Sequence, residues 1–358
     1  MKIGILTFHR AHNYGAVLQA FALCKTLEKL GNNVEIVDYT PVSILRSHDI
    51  WGTSHFKKKK LKGKIKYLVF LLFHLDVKIK RYSVFSNFIN NRLPLSSKTD
   101  LTKDCYDVLF FGSDQIWNPY ITQGFDSIYL GNILKDGKKL VSYAASAETA
   151  IDSESANLAY NNIVSNFDWI SVREIGLQKY IQKFTNKIIF KVLDPVFLLS
   201  KEEWSRLALC NKQYAPYLLI YQVRTDDRIY KMAQDLAQRE GVGIVEITSK
   251  MMKRKKGRLQ DISPFEFIGY IKNARYILTT SFHGTAFSII FQKEFYTVLF
   301  GGEGDLRSLE LLNSFGLMRQ TVDIGDEIKT NIVDYEMVTS LLLEEKEKSI
   351  EYIKTTLQ

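Results

Sequence analysis

A strand, a polar turn and a helix follow one another late in the sequence, and this order constrains the fold more than any other feature. Residues 275–280 are apolar and β-branched, as in a buried strand, and residues 284–292 form an apolar run of helical length. Ser281, Phe282 and His283 therefore lie on the connecting turn. The first N–H groups of a helix lack intrahelical partners and its dipole adds positive charge, so this turn favours a phosphate or a carboxylate.

Four residues around the turn are candidate ligands for such an anion. Ser281 and Thr285 can donate hydroxyl hydrogen bonds, Gly284 lets a ligand approach the backbone, and His283 can donate a proton. A purely structural role stays open, with Ser281 as a helix cap and His283 as a half-buried imidazole. The convergence of several donors at a strand end favours a binding site.

The chain is too long for one typical domain. It has 358 residues, 46% of them hydrophobic, which predicts a large core and two domains. The formal net charge of +9 suits a phosphorylated ligand, an anionic membrane surface or nucleic acid. Nucleic acid is the least supported partner and is not expected, because we find no zinc-ligand spacing, RNA-binding signature or basic heptad region.

Two features predict a cytoplasmic protein. Cys24, Cys105 and Cys210 are isolated and odd in number, which indicates a reducing compartment and no disulfide framework. The chain also enters its first predicted strand without the features of a signal peptide.

The first predicted elements form a βαβ unit. Residues 2–8, 15–30 and 34–39 have the patterns of a strand, a helix and a second strand, which makes the sheet parallel. The turn after the first strand lacks the Gly-x-Gly-x-x-Gly fingerprint, so a dinucleotide site is not expected there.

That turn contains Asn13, Tyr14 and Gly15, for which two interpretations remain. Asn13 can cap the helix beside a tight glycine turn. Alternatively, the three residues form a loop that faces the substrate.

Polar residues follow four further predicted strands, at residues 107–111, 140–145, 168–172 and 188–193. In open α/β sheets ligands bind beyond the carboxyl ends of the strands, so these residues together predict a crevice. In chain order they are Gly112, Ser113, Asp114 and Gln115, then Ser146, then Arg173 and Glu174, then Asp194 before Pro195.

Residues 41–100 interrupt this alternation and predict a basic helical insertion in the first domain. Helical patterns at 65–75 and 77–89 carry apolar stripes flanked by basic residues, as an interfacial helix would. The segment from Lys57 to Arg81 is therefore a candidate for peripheral contact with an anionic membrane. A solvated helical hairpin packed on the first domain is the alternative.

We expect three parts in the chain. Residues 1–195 form a Rossmann-like domain with the insertion, and residues 196–330 form a second one that carries the His283 motif. A charged helix in residues 331–358 could pack back on the first domain.

The sequence resembles the polysaccharide pyruvyl transferase family over nearly its whole length. The resemblance rests on residues 4–9 with 13–19, 112–118, 171–174, 194–195 and 281–287, in this order. It implies an α/β fold similar to that of two-domain, GT-B type glycosyltransferases, with two Rossmann-like halves facing across a cleft. It also implies phosphoenolpyruvate as the donor, no further cofactor and no metal, a sugar unit of a surface polysaccharide as the acceptor, either free or lipid-linked, and a pyruvate ketal as the product.

The resemblance makes His283 the general acid and Arg173 a ligand of the donor. Arg307 matches an arginine that family members often carry, although the glycine-rich loop before it departs from the family pattern. Arginine suits this donor because a guanidinium pairs with a carboxylate or a phosphate through two hydrogen bonds. Lys293 is a further candidate ligand, and Asp114 or Asp194 is the candidate base.

Two other functions remain open at this point. A nucleotide-sugar-dependent glycosyltransferase of similar fold would hold a diphosphate in the same crevice. A non-catalytic glycan-binding relative is less expected, because His283 and Arg173 are both present.

Overall fold

Two parallel sheets, one in each half of the chain, form the framework of the protein. The computed structural model describes residues 1–47, 61–96, 106–148, 151–210, 215–248 and 251–358. The first sheet contains β1 (Lys2–Leu6), β2 (Asn33–Ile36), β3 (Val108–Phe111) and β4 (Lys139–Ser142), in the order β2-β1-β3-β4. Two short parallel strands, β5 (Ile170–Val172) and β6 (Ile189–Lys191), continue it through isolated bridges from β4 and the residues after it.

The second sheet has the strand order of a Rossmann fold. Its strands are β7 (Tyr217–Gln222), β8 (Gly243–Thr248), β9 (Arg258–Leu259), β10 (Tyr276–Thr279), β11 (Glu294–Leu299) and β12 (Thr321–Asp323). They are all parallel and lie in the order β12-β11-β10-β7-β8-β9, which is the doubly wound arrangement. The predicted α/β class with two Rossmann-like halves is confirmed.

The helices cover these sheets and join the two halves. In the described residues they are α1 (Tyr14–Lys29), α2 (Val42–Ser47), α3 (Leu61–Arg92), α4 (Pro119–Thr122), α5 (Glu154–Asn166), α6 (Ile175–Ile181), α7 (Lys201–Leu207), α8 (Asp227–Glu240), α9 (Pro264–Asn273), α10 (Phe282–Ile290), α11 (Leu306–Ser314) and α12 (Tyr335–Thr356). None of the described helices has both the length and the apolar composition needed to cross a bilayer.

Each sheet has one point where the strand order reverses. In the first sheet this point lies between β1 and β3, and in the second it lies between β7 and β10. Loops that leave such neighbours run in opposite directions and leave a crevice at the carboxyl ends of the strands. The loops after these four strands therefore border the crevices of the two halves.

A continuous apolar core passes between the halves. Tyr14 of α1 stacks on Phe267 of α9, with ring centroids 4.5 Å apart. Phe21 of α1 likewise contacts Trp204 of α7, with ring centroids 6.1 Å apart. This packing places the start of α1 beside the start of α10.

The insertion differs from the expected pair of helices. The patterns at 65–75 and 77–89 belong to α3, one helix of 32 residues, because the sequence between them has no proline or glycine to end it. Lys57 and the three lysines after it lie outside the described residues.

Arg81 corrects the expectation that the whole basic segment faces a membrane. Its side chain is buried, with Nη1 donating to the carbonyl oxygens of Thr248 and Gln260 and Nη2 donating to that of His12. Because these carbonyl groups belong to both halves, the hydrogen bonds of Arg81 attach α3 to each half.

The last helix contacts the first sheet. Tyr352 of α12 donates to the carbonyl oxygen of Ser142 at 2.8 Å, and Ser349 Oγ accepts from the amide of Leu193 at 2.9 Å. Helix α12 starts at the second half, where Tyr335 donates to the carbonyl oxygen of Lys293, and packs back on the first half. The predicted domain bounds remain a prediction.

Candidate active site

Arg173, which follows β5, is fixed by two carboxylates. Its side chain is 5% exposed, with Nη1 2.6 Å from Asp194 Oδ2 and Nε 3.1 Å from Glu174 Oε1. The remaining nitrogen, Nη2, is buried without a hydrogen-bond partner among the described residues. A guanidinium held on two sides with one free donor is placed to bind an anionic oxygen.

Phe282 brings a second guanidinium beside the first. The centroid of its ring lies 4.5 Å from Arg173 Cζ and 5.9 Å from Arg307 Cζ. Arg307 comes from α11, and its Nη2 lies 3.4 Å from Glu148 Oε1 in the first half. Its Nε is buried and has no partner within the described chain. Two like charges on one apolar ring form a pocket in which an anion would relieve their repulsion.

His283, on the first turn of α10, reaches across to the first half. Its Nε2 lies 3.5 Å from Asp194 Oδ2, a contact that is electrostatic rather than a close hydrogen bond. That nitrogen is buried and makes no hydrogen bond to the described residues. The imidazole packs on Gly15, where an added β-carbon would lie 2.0 Å from His283 Nδ1. The site is therefore complete only where the two halves meet.

Asp194 is the acidic centre of this group. Its Oδ2 contacts Arg173 and His283 and accepts from Ser113 Oγ at 3.3 Å, while Oδ1 accepts from the amide of Val196 at 3.1 Å. Burial alone would raise the pKa of Asp194, but His283 and Arg173 outweigh this effect and hold the pKa well below its usual range. The carboxylate is ionised at neutral pH and saturated with partners.

The pKa values of two neighbouring side chains, Glu174 and Arg307, are shifted in the direction that favours their neutral forms. Burial raises the pKa of Glu174 despite the opposing charge of Arg173, and burial together with Arg173 lowers the pKa of Arg307. Glu174 Oε2 is also buried without a hydrogen-bond partner in the described part of the chain. Such shifts towards neutral forms beside a firmly ionised carboxylate are typical of functional sites.

The start of α10 uses several of the predicted donors internally. Ser281 Oγ caps the helix by accepting from the amide of Gly284 at 3.3 Å. Thr285 is fully buried, with Oγ1 2.8 Å from Thr297 Oγ1. A β-carbon on Gly284 would lie 2.2 Å from Thr279 Oγ1. The predicted substrate contacts of Thr285 and Gly284 are therefore corrected, because both residues pack against the sheet, and Ser281 shapes the turn.

The loop after β1 likewise has mainly structural contacts. Asn13 caps α1 by accepting from the amide of Gly15 at 2.9 Å. Tyr14 is buried against Phe267 and donates to the carbonyl oxygen of Ile262 at 3.2 Å. The expected substrate contact of Tyr14 is corrected in the same way, whereas Gly15 makes room for His283.

The loop after β3 borders the candidate site. Gly112 has φ +115°, and a β-carbon there would lie 2.4 Å from the carbonyl oxygen of Tyr143, so only glycine fits this turn. Beyond it, Ser113 contacts Asp194. The amide group of Gln115 lies 2.9 Å from Nη1 and Nη2 of Arg307 and can accept from both when its oxygen faces them.

Asp114 lies in the same loop and is half-buried. Its Oδ1 accepts from the amide of Gln115 at 2.9 Å. Its negative charge also favours the charged forms of Arg173 and Arg307. Asp114 therefore borders the pocket from the first half.

Lys293 lies outside the site, which corrects its predicted role. It precedes β11 and so lies at the amino end of that strand, opposite the crevice. Its Nζ donates to the carbonyl oxygen of Lys272 at 2.9 Å. Only the carboxyl ends of the parallel strands face the ligand.

Three acidic or basic groups at the cleft were not predicted as site residues. Arg224 lies two residues after β7, pairs with Asp305 and has its Cζ 4.4 Å from the centroid of the Phe300 ring. The rule that polar residues follow strand ends also applies to Arg224. Glu148 and Glu310 carry no such signal, because their contacts depend on how the halves meet.

Glu310 forms a second link across the cleft. Its Oε2 accepts from the amide of Ile175 at 2.8 Å, directly after Arg173 and Glu174. Helix α11 is thus attached to the first half at Glu310 and at Arg307.

Comparison with known proteins identifies the family. Residues 13–299 match the family model of polysaccharide pyruvyl transferase, whereas no curated protein matches the sequence. Similar solved structures include UDP-GlcNAc 2-epimerase from Methanocaldococcus jannaschii in complex with UDP-GlcNAc and UDP, with 12% identity, coverage of 100% of this chain and 99% of that chain, and a TM-score of 0.46. They also include the UDP-GlcNAc 2-epimerase from Neisseria meningitidis bound to UDP-GlcNAc, with 9% identity, coverage of 99% of this chain and 93% of that chain, and a TM-score of 0.46. A third is MnaA from S. aureus in a structure with UDP, with 12% identity, coverage of 98% of this chain and 90% of that chain, and a TM-score of 0.48.

The matched residues extend from the cap of α1 to the end of β11 and include Arg173, Asp194 and His283. They thus cover most of the chain and most of the candidate site. The chain belongs to the polysaccharide pyruvyl transferase family and is a transferase that acts on polysaccharide.

Proposed function

We propose that the enzyme transfers the pyruvyl unit of phosphoenolpyruvate onto two hydroxyls of one sugar, forming a pyruvate ketal and releasing phosphate. The observation that carries the proposal is the pair of guanidinium groups on Phe282, that of Arg173 buried and that of Arg307 half-buried, with Arg173 Nη2 and Arg307 Nε unpartnered among the described residues. The donor has a carboxylate and a phosphate, which are the groups that guanidinium donors bind best.

The reaction needs one proton delivered to carbon. The methylene carbon of the donor gains a proton, the neighbouring carbon forms two bonds to sugar oxygens, and its bond to the phosphate oxygen breaks. The two hydroxyl protons end on the methyl group and on phosphate, so the reaction needs no oxidant or reductant. The protein must therefore supply a proton donor, a proton acceptor and stabilisation of the departing phosphate.

His283 is the proposed proton donor. Asp194 Oδ2 lies 3.5 Å from Nε2, so this carboxylate faces the ring nitrogen proposed to deliver the proton. The same carboxylate holds Arg173, so one residue positions both the proposed acid and a proposed donor ligand. This coupling supports a site that protonates an anionic substrate.

Asp114 is the proposed proton acceptor for a sugar hydroxyl. Asp194 was the other candidate, but its two oxygens already contact Arg173, Ser113 and the amide of Val196. Asp114 is half-buried at the edge of the same group and accepts one backbone hydrogen bond at Oδ1. The acceptor is a sugar unit of a surface polysaccharide or of its lipid-linked precursor, approached at the inner face of the membrane.

A reaction with two donors tests this function. The enzyme is incubated with a panel of glycan acceptors and either phosphoenolpyruvate or a nucleotide sugar, and the products are weighed by mass spectrometry. We expect phosphate release and a pyruvate ketal on the acceptor with phosphoenolpyruvate only. Sugar transfer from the nucleotide donor, with phosphoenolpyruvate inert, would instead assign the site to a glycosyltransferase.

A further inference from the structure

The middle part of α3 exposes large apolar side chains to solvent. Leu68 and Val69 are 47% exposed, Phe73 is 70% exposed and Ile79 is 50% exposed. We call these four residues the apolar patch. Burying such side chains stabilises a protein, so four of them exposed within three turns of one helix indicate a contact surface.

A basic loop from the second half lies beside Phe73 and Ile79 of this patch. Its four residues, Lys253, Arg254, Lys255 and Lys256, are all exposed. Arg254 anchors the loop to α3, since Nη2 donates to the carbonyl oxygen of Phe73 at 3.3 Å and pairs with Asp76. Lys253 and Arg254 line a groove together with Phe73 and Ile79.

We propose that the apolar patch and the basic loop together bind the surface of an anionic phospholipid membrane. Apolar side chains beside a cluster of basic ones are what a protein needs to bind this interface, because the former enter the acyl boundary and the latter attract the headgroups. The chain's net charge of +9 favours the same partner. The apolar patch lies within the segment predicted to contact a membrane, but the basic side chains come from the second half, because Arg81 is buried and Lys80 pairs with Asp261 at 2.8 Å.

The surface lies close to the candidate active site. Phe73 and Arg81 are eight residues apart on α3, which is about 12 Å along a helix axis. Arg81 Nη2 donates at 3.0 Å to the carbonyl oxygen of His12, one residue before the cap of α1. The ring of Tyr82 also contacts that of His12, with centroids 5.0 Å apart. Membrane binding would hold the cleft near substrates on that membrane. This consequence rests on the proposed function, but the proposal that the surface binds a membrane is independent of it.

Sedimentation of the full-length enzyme with vesicles tests the proposal. We expect the enzyme to sediment with phosphatidylglycerol vesicles, less at high salt, and to stay in solution with phosphatidylcholine vesicles. Lys253→Gln with Lys256→Gln should reduce the partition coefficient by about 30-fold, at roughly fivefold for each lysine. Phe73→Ser should reduce it by about tenfold.

Matched variants control for nonspecific effects. Lys179→Gln with Lys329→Gln removes two exposed lysines elsewhere, and Ile332→Ser removes a side chain that is 96% exposed. Both should bind vesicles as the unaltered enzyme does, and circular dichroism should show that every variant is folded. Failure of the unaltered enzyme to sediment would overturn the proposal, as would equal binding by the test and control variants. Loss of binding only when Lys57 to Lys60 are neutralised would assign the contact to that segment instead.

Discussion

Gly15 of the first half and His283 of the second half lie in direct contact. A β-carbon on Gly15 would lie 2.0 Å from Nδ1, 2.4 Å from Cγ and 2.5 Å from Cε1 of the imidazole. Only glycine, which has no β-carbon, leaves room for the imidazole at position 15. The position of the proposed general acid therefore depends on a residue that is distant in sequence and carries no functional group.

Gly15→Ala should reduce turnover by about 10²-fold, the scale expected when a reacting group is displaced by about 1 Å. The added methyl group must move the imidazole or separate the halves. Steady-state kinetics measure the effect, with Gly243→Ala as the control, since the nearest atom to its added β-carbon lies 3.9 Å away. Unchanged turnover in Gly15→Ala would show that the contact does not position His283.

Arg173→Lys should weaken binding of phosphoenolpyruvate at least tenfold, about 1.4 kcal/mol. Lysine keeps the positive charge, but it has one side-chain nitrogen where arginine has three. It therefore cannot contact Asp194, Glu174 and phosphoenolpyruvate at the same time as the guanidinium does. Calorimetric titration measures the affinity, with Arg206→Lys on the exposed face of α7 as the control. Equal affinities in the two variants would remove Arg173 from the donor site.

His283→Gln should preserve the fold and most of the donor affinity, while turnover falls by about 10²-fold or more. Glutamine can fill the space and form hydrogen bonds, but it cannot deliver a proton. The test pairs single-turnover kinetics with calorimetric titration of the donor. Near-normal turnover would leave His283 a packing residue.

The contribution of Asp194 to stability should depend on pH. Its folded-state pKa lies below the value of about 3.9 expected for an unfolded chain, so its stabilising contribution is present above about pH 4 and is lost as the pH falls through the folded-state pKa. Asp194→Asn should therefore lower the free energy of unfolding by roughly 3 kcal/mol at pH 7, because a buried ion pair loses one member. Urea denaturation should show this difference shrinking below about pH 4.

A control variant separates this effect from general acid sensitivity. Asp323→Asn alters an exposed carboxylate on β12 and should change the free energy of unfolding little at any pH. A constant difference between Asp194→Asn and the unaltered protein from pH 7 to pH 3 would contradict the assignment of an ionised Asp194 in the core.

Sequence patterns predicted the part of the site that depends on strand ends. Arg173, Asp194 and Ser113 each follow a predicted strand, and parallel strands place their carboxyl ends at one edge of the sheet. His283 follows β10 in the same way. Applied consistently, this rule excludes Lys293, which precedes its strand, and includes Arg224, which follows one.

Sequence patterns did not predict contacts that depend on the packing of distant segments. Thr285 lies near the turn in sequence, but its position on α10 directs it at Thr297 on the sheet. Arg81 belongs to a basic run, yet its guanidinium is buried against carbonyl groups from both halves. Local composition carries no information about such long-range neighbours.

The central claim is that phosphoenolpyruvate becomes a ketal, and the fate of its methylene carbon tests this most directly. The enzyme is incubated in D2O with an acceptor and phosphoenolpyruvate labelled with carbon-13 at the methylene position, and the product is followed by NMR. We predict that the label appears in a methyl group that carries one deuterium, attached to a ketal carbon, because the enzyme adds one solvent-derived proton to that carbon. A labelled carbon that remains a methylene group in the product, or that never joins the acceptor, would contradict the account.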